Sequence, residues 1–303
     1  MATTDKRLTI TELDFDDIKD NMKTFLRNQT AFTDYDFEGS GMSALLDVLA
    51  YNTHYLAMNG NLLANEMFID TASLRSSVVS HAKTLGYTPR SARAPIATVN
   101  VTVNDTSVTT ATLSRGAKFT TTVNDVAYTF VVTTDITKSR VGGSLVFENL
   151  SLSEGTLVTT RYTVDTTNTD QRFLIPDSGA DTTTLTVQVQ NSASDSTTTA
   201  FTLATDITQV SGTAENYFLQ EVENGQFEVY FGDGVIGKAV SDNNIVILQY
   251  VVTNKEAANG AVTFTPPSSI GTSSDNSVLT ITGAVGGAEP ETIKSIKFNA
   301  PLD

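Results

Sequence analysis

At "YTPRSARAP", residues 87–95, the apolar periodicity of the chain changes, and this constrains the fold more than anything else in the sequence. Before it, apolar side chains recur every three or four residues. Phe15, Ile18, Met22, Phe25 and Leu26 share one helical face, and Asp14, Asp16 and Asp17 sit where carboxylates suit the positive end of a helix. Met42, Leu45, Leu46 and Leu49, then Tyr55, Leu56, Leu62, Leu63, Met67 and Phe68, continue the pattern after "GSG". A third helix is expected from near Thr71, with Leu74, Val78, Ala82 and Leu85 on one stripe and Gly86 as its left-handed stop. From Ile96 the period becomes two: in "IATVNVTV", Ala97, Val99, Val101 and Val103 alternate with Ile96, Thr98, Asn100 and Thr102. Strand-like runs then recur as far as "NIVILQYVV", separated by turn-rich pieces such as "VGGS", "PDSGAD" and "SDNN".

Threonine fits this second half. It fills 26 of the positions 101–200, and a β-branched residue with a hydroxyl suits pleated faces that stay wet. The expected fold is therefore α+β: an N-terminal helical domain, then a mostly antiparallel, Thr-rich β domain of sandwich or barrel type, then the start of a further helical segment. The expected boundaries are 1–90 for the helical domain, 91–265 for the β domain, and 266–303 for a linker, a short strand and the opening of a next domain. In that last piece, "AEPETIKSIKF" opens a helix with Pro290 at its first position. The helix has nothing evident to pack on, so the sequence reads as cut.

Net charge and residue usage narrow the function classes. At −15, with 19 basic residues scattered along 303, the chain lacks the concentrated positive surface that nucleic acid requires. No apolar run is long enough to span a membrane, and "MATTDKRLTITELDFDD" lacks the apolar core of a signal peptide, so the reading is a soluble chain made inside the cell. With no cysteine, disulfides, thiolate chemistry and cysteine-ligated zinc are excluded.

Three stretches imitate binding motifs. "GDGVIG", residues 232–237, has the G-x-G-x-x-G spacing of a dinucleotide loop and follows a strand. Only "KAVSDNN" separates it from the next strand, which leaves no room for the helix whose N-terminus would hold a pyrophosphate. Gly232, Asp233, Gly234 and Gly237 are read instead as a hairpin turn, with type I′ geometry at Asp233-Gly234. "DYDFEGSGMSAL", residues 34–45, begins like a calcium loop, but Leu45 stands where a bidentate Glu is needed. His54 and His81 lie on helices without ligand partners one turn away. No constellation for catalysis, cofactor or metal emerges, and a non-enzyme is expected.

Longer stretches resemble a known family. "FTDYDFEGSGMSALLDVLAYNTHYLAMNGN" and "TASLRSSVVSHAKTLGYTPRSARAP" resemble the N-terminal region of the large baseplate wedge subunit of contractile-tailed phages, a baseplate J-like protein. "LSRGAKF", "FGDGVIGK" and "GGAEPETIKSIKFNAPLD" follow in the family's order. The resemblance implies a structural protein of the virion tail baseplate that scaffolds the wedge around the hub and passes rearrangement to the sheath. Its implied partners are other wedge proteins and the sheath-initiating protein, with self-association in the full-length protein; family members continue well beyond "NAPLD" to parts that close a ring. On this reading Phe25, Leu45, Leu49, Tyr51, Leu74 and Val78 form helical core or partner face. The alternatives are a Thr-rich adhesin or carbohydrate-binding tail protein, for which the helices have no role, and a tail hydrolase, for which no acid pair can be placed.

Overall fold

The structure is a computed structural model that describes residues 14–29, 39–205, 210–222 and 225–302. The chain divides into two compact units, Met1–Tyr87 with Ile293–Asp303, and Thr88–Thr292.

The first unit is helical. Helix α1, Phe15–Arg27, is capped by the Asp14 carboxylate, which accepts from the amides of Asp16 and Asp17 at 2.8 and 3.3 Å. Helix α2, Gly41–Glu66, starts at Ser40, whose hydroxyl accepts from Ser43 N at 3.0 Å. Helix α3, Arg75–Thr84, begins four residues later than the apolar pattern predicts. Its N-cap, Leu74, offers no side-chain acceptor; the Glu66 carboxylate takes over, accepting from the amides of Ser73 and Leu74 and from the Ser73 hydroxyl. Gly86 has φ +84° and ends the helix as expected.

The C-terminal helix, α4 (Ile293–Asn299), corrects the expectation of a helix with nothing to pack on. It lies against α3, and its fully buried Ile296 joins Ala72, Val78, Val79, Ala82 and Ala300 in the core of this unit. Lys297 Nζ adds a bond to Asp70 O at 3.0 Å. Pro290 stands ahead of the helix instead of at its first position. A short amphipathic helix carries no mark of a partner more than two hundred residues away, which is why the sequence does not show the contact.

The second unit holds fourteen strands among its described residues, with one parallel pair, β10 on β11. One sheet has the order β14-β1-β6-β4-β3: β1 Ile96–Val103, β3 Lys118–Val123, β4 Val126–Val132, β6 Leu145–Glu154 and β14 Asn276–Val285. Strand β14 pairs along β1, so residues 276–292 complete the β unit instead of opening a new domain. The inward residues of β1 are the alternate set expected, and they pack with Phe119, Phe130, Phe147, Leu150 and Leu152. A two-stranded ribbon, β2 (Thr110–Leu113) with β5 (Ile136–Ser139), turns Ala111 and Leu113 into this core. Its outer face pairs Thr112 with Thr137 and Thr110 with Ser139, hydroxyl to hydroxyl at 2.8 and 3.3 Å. That is the wet face for which threonine is suited.

The other sheet has the order β7-β13-β9-β10-β11-β12-β8, where β7 is Thr156–Thr163, β8 Phe173–Ile175, β9 Ala180–Gln190, β10 Thr198–Leu203, β11 Asn216–Glu221, β12 Phe227–Phe231 and β13 Ile245–Val252. It curls until its two edges meet. Tyr162 on β7 donates its hydroxyl to Leu174 O on β8 at 2.6 Å, and its ring lies 5.8 Å from that of Phe173. The nearly closed barrel encloses Tyr250, Leu248, Val229, Phe227 and Val187. Burial pushes the hydroxyls of Tyr250 and Tyr217 up to about 12. The sheets are tied by Arg115 of "LSRGAKF", whose guanidinium donates to Thr184 O and Gln249 O. They are tied again by the fully buried Glu154, whose carboxylate accepts from Thr253 Oγ1, Asn254 N and Asn254 Nδ2.

Candidate functional site

Two features stand out from the packed cores: an apolar helical face in the first unit and the glycine loop in the second. Of the 26 residues of α2, the buried ones are Ser43, Leu46, Ala50, Asn61 and Ala64, a narrow row of mostly small side chains. The larger apolar residues point elsewhere. Val48, Tyr51, Tyr55, Met58 and Leu62 follow one another at steps of three and four residues, and all are between 43% and 65% exposed. That seam has the heptad a/d spacing with which helices pack on one another at a shallow crossing angle. Leu45, Leu49, Leu56 and Leu63 form a second exposed row beside it. Together the rows, from Leu45 to Leu63, give α2 a largely apolar exposed face about 27 Å long at the usual helical rise, with Asn52 and Asn59 between them. Within the seam, the Tyr51 and Tyr55 hydroxyls lie 2.9 Å apart with their rings edge to face, and that bond pushes the Tyr51 hydroxyl up. Lys19 of α1 reaches Asp47 at 2.5 Å and fixes α1 beside α2, while no residue of α1 is buried and Phe25 is exposed.

The residues singled out in the sequence therefore separate. Val78 is core, at 0% exposed; Phe25, Leu45, Leu49, Tyr51 and Leu74 lie on the surface. Of the seam itself, the sequence reading singled out only Tyr51 as helical core or partner face. The seam's spacing is present in the residues, but an apolar helix face is normally taken as the one that faces its own core.

The glycine loop corrects the hairpin. Strand β12 pairs with β11 and β8, and β13 pairs with β7 and β9, so residues 232–244 cross between strands that are not neighbours. Gly234 and Gly237 have φ +90° and +83°, whereas Asp233 is not among the positive-φ residues, so the turn is not type I′. Asp233 acts through its side chain, which accepts from Val235 N and Ile236 N at 2.8 and 3.0 Å. Those bonds hold its carboxyl below the ordinary range. Gly234 N bonds to Gly237 O, Gly237 N to Ser211 O, and Lys238 N to Ala214 O. The five amides from Gly234 to Lys238 thus all have acceptors, which leaves none in that run for a phosphate. Gly232 is needed for another reason: a β-carbon there would lie 2.0 Å from Ile236 O.

The remaining motif look-alikes are quickly placed. Residues 34–38 of the calcium-like stretch lie outside the described residues. His81 donates through Nε2 to Glu66 O at 2.9 Å, a bond between helices, and His54 packs at 6.1 Å from the Tyr55 ring. Among the described residues no group of three or more His, Asp or Glu could hold a metal ion, and no helix is long and apolar enough to cross a membrane.

Comparison with known proteins bears on this geometry. Residues 14–87, the helical segment that carries the seam, match the family described as baseplate wedge protein gp6-like, helical domain. Baseplate wedge protein gp6 of Enterobacteria phage T4 is 31% identical over 312 residues, an alignment that takes in 93% of this chain. The chain spans 46% of that relative's length. A six-fold-symmetrised cryo-EM structure of the anti-feeding prophage baseplate aligns with 97% of this chain and 60% of its own at 13% identity, with a TM-score of 0.32, too slight a likeness to carry an argument.

Proposed function

Since the chain belongs with the baseplate wedge proteins of phage tails along nearly its whole length, we propose that it is a structural part of a contractile-tail wedge and catalyses no reaction. In this reading it helps to scaffold the wedge around the hub and hands baseplate rearrangement on to the sheath. The observation that supports it most is the exposed a/d seam of α2. Five apolar side chains at heptad spacing left in water are costly for a chain that is meant to stand alone, and fit one that packs on partner helices. The partners proposed are other wedge proteins and the sheath-initiating protein, with a further copy of the full-length protein where it self-associates. The β unit, knit across its two sheets by Arg115 and Glu154, acts as a stiff spacer. The protein would be made in the host cytoplasm and end in the virion tail.

Electron microscopy of particles labelled with gold-conjugated antibody to residues 191–197, a mostly exposed loop of the β unit, tests this. Gold at the distal tail plate of loosened baseplates is the expected result. Gold along fibres would favour a Thr-rich adhesin, and protein that stays in the lysate with no particle labelling would contradict incorporation.

A further inference from the structure

The α2 seam is apolar except at one point. Val48, Met58 and Leu62 offer no hydrogen-bond donor, whereas Tyr51 and Tyr55, one turn apart, end in hydroxyls. Asn52 and Asn59 flank the row, each one residue past a seam position, where a heptad places its e residues at the wet rim. The two tyrosine oxygens lie 2.9 Å apart and the rings meet edge to face, so the chain by itself already holds the pair together. One hydroxyl donates to the other. That spends one of the two hydroxyl hydrogens and leaves the second, with lone pairs on both oxygens, to water.

A partner that covers the seam removes that water. An O–H buried without an acceptor is costly, so whatever lies on the seam must supply one at this level. The heptad spacing calls for a helix, and the hydroxyl pair limits what one of its seam positions carries. Lysine and arginine have no acceptor to give. A carboxylate would accept, but it would lie uncompensated in a dry seam, because α2 carries no Lys or Arg and the chain has a net charge of −15. A serine or threonine hydroxyl on a helix turns back to its own backbone, as Thr53 does in donating to Leu49 O at 2.9 Å. A carboxamide meets both needs: its C=O takes the spare hydrogen and its NH2 donates to a tyrosine oxygen.

We infer that the seam takes a partner helix bearing an asparagine or glutamine opposite Tyr51 and Tyr55, and that this polar contact sets the register of the two helices. Single buried amides set register in coiled coils in the same way, at some cost in stability. The inference rests on the reading of α2 as the partner face and adds which helix can lie there.

Competition for places in tails tests it. Infected host cells make parent and variant chains in equal amounts, and mass spectrometry of purified tails reads the ratio. Tyr51→Phe with Tyr55→Phe keeps both rings and removes both hydroxyls, so the purified chain should melt as the parent does. In tails it is expected to fall about tenfold below the parent, because the partner amide is left buried and unpaired. Tyr55→Lys, which brings a charge into the seam, should be excluded more fully. Leu62→Glu reports loss of the face itself and should also be kept out. A phenylalanine chain that enters as often as the parent while Leu62→Glu is excluded would overturn the inference and leave the partner face standing. Tyr55→Lys entering as well as the parent would put a carboxylate opposite, and would overturn it too. Leu62→Glu entering freely would remove the face, and the inference with it.

Discussion

Strand β1 buries every second side chain, and the aromatic rings behind it, Phe119, Phe130 and Phe147, are closed off from water. Helix α2 has about three times as many residues, yet buries five and leaves most of its larger apolar side chains outside. The same solvent rewards burial in both places, so the exposed face of α2 is what the proposed partners would have to cover. The β unit completes its own cores, down to an edge-to-edge tyrosine bond that draws the barrel together. The helical unit has one small core between α3 and α4 and leaves the larger apolar side chains of α2 exposed, the face proposed for partners.

Truncation experiments offer the strongest way to break this comparison. Phe130→Ala removes a ring that is 0% exposed and stacked edge to face on Phe264, and should lower unfolding free energy by about 3–5 kcal/mol in denaturant titration. Leu62→Ala on the seam should change it by no more than about 0.5 kcal/mol. Equal losses at the two positions would mean that α2 is core after all. A smaller effect is expected at the glycine loop. Gly232→Ala must move a carbonyl that would sit 2.0 Å from the new carbon, whereas Gly234→Val meets open space and suffers only from its φ of +90°. Gly232→Ala should therefore lower the melting temperature more than Gly234→Val, and the reverse order would refute the packing described for that loop.

The smallest effect sharpens the account of the helical unit. Burial alone would raise the Glu66 carboxyl, but bonds from the Ser73 hydroxyl and amide, from Ser77 and from Leu74 N outweigh it and bring the group from 4.5 to about 2. A carboxyl depressed in the folded state gives stability that is whole above its unfolded value and fades as pH falls through the folded one. The parent should thus lose stability between about pH 4.5 and pH 2, and Glu66→Gln should flatten that slope while melting lower at neutral pH. An unchanged slope, followed by circular dichroism, would remove Glu66 as the cap of α3.

Period and composition carried the fold class well. The alternation in "IATVNVTV" marks β1 and its buried face, and the turn-bounded runs mark most of the other strands. What escaped is long-range or two-sided. Strands as short as β8, Phe173–Ile175, have no pattern of their own, and nothing local tells Tyr162 that Leu174 will close the barrel. Asp-Gly between two apolar runs reads as a hairpin, yet here the Asp side chain makes the turn and the flanking strands pair with others. Helix α4 looked unsupported because its partner, α3, is far away in sequence. The α2 seam was spelled out at three- and four-residue steps, but sequence alone does not say whether such a row faces its own chain or another.

That question is the centre of the account, and one doubly substituted chain addresses it most directly. Tyr55→Glu with Leu62→Glu puts two charges on the seam at positions 43% and 48% exposed. The measurement is the fraction of this chain that sediments with assembled tails in infected cells that make only the variant, set beside its helicity and melting temperature in purified form. The account predicts an unchanged helicity and melt together with loss of the chain from tails. A variant that folds and enters tails as the parent does would contradict it.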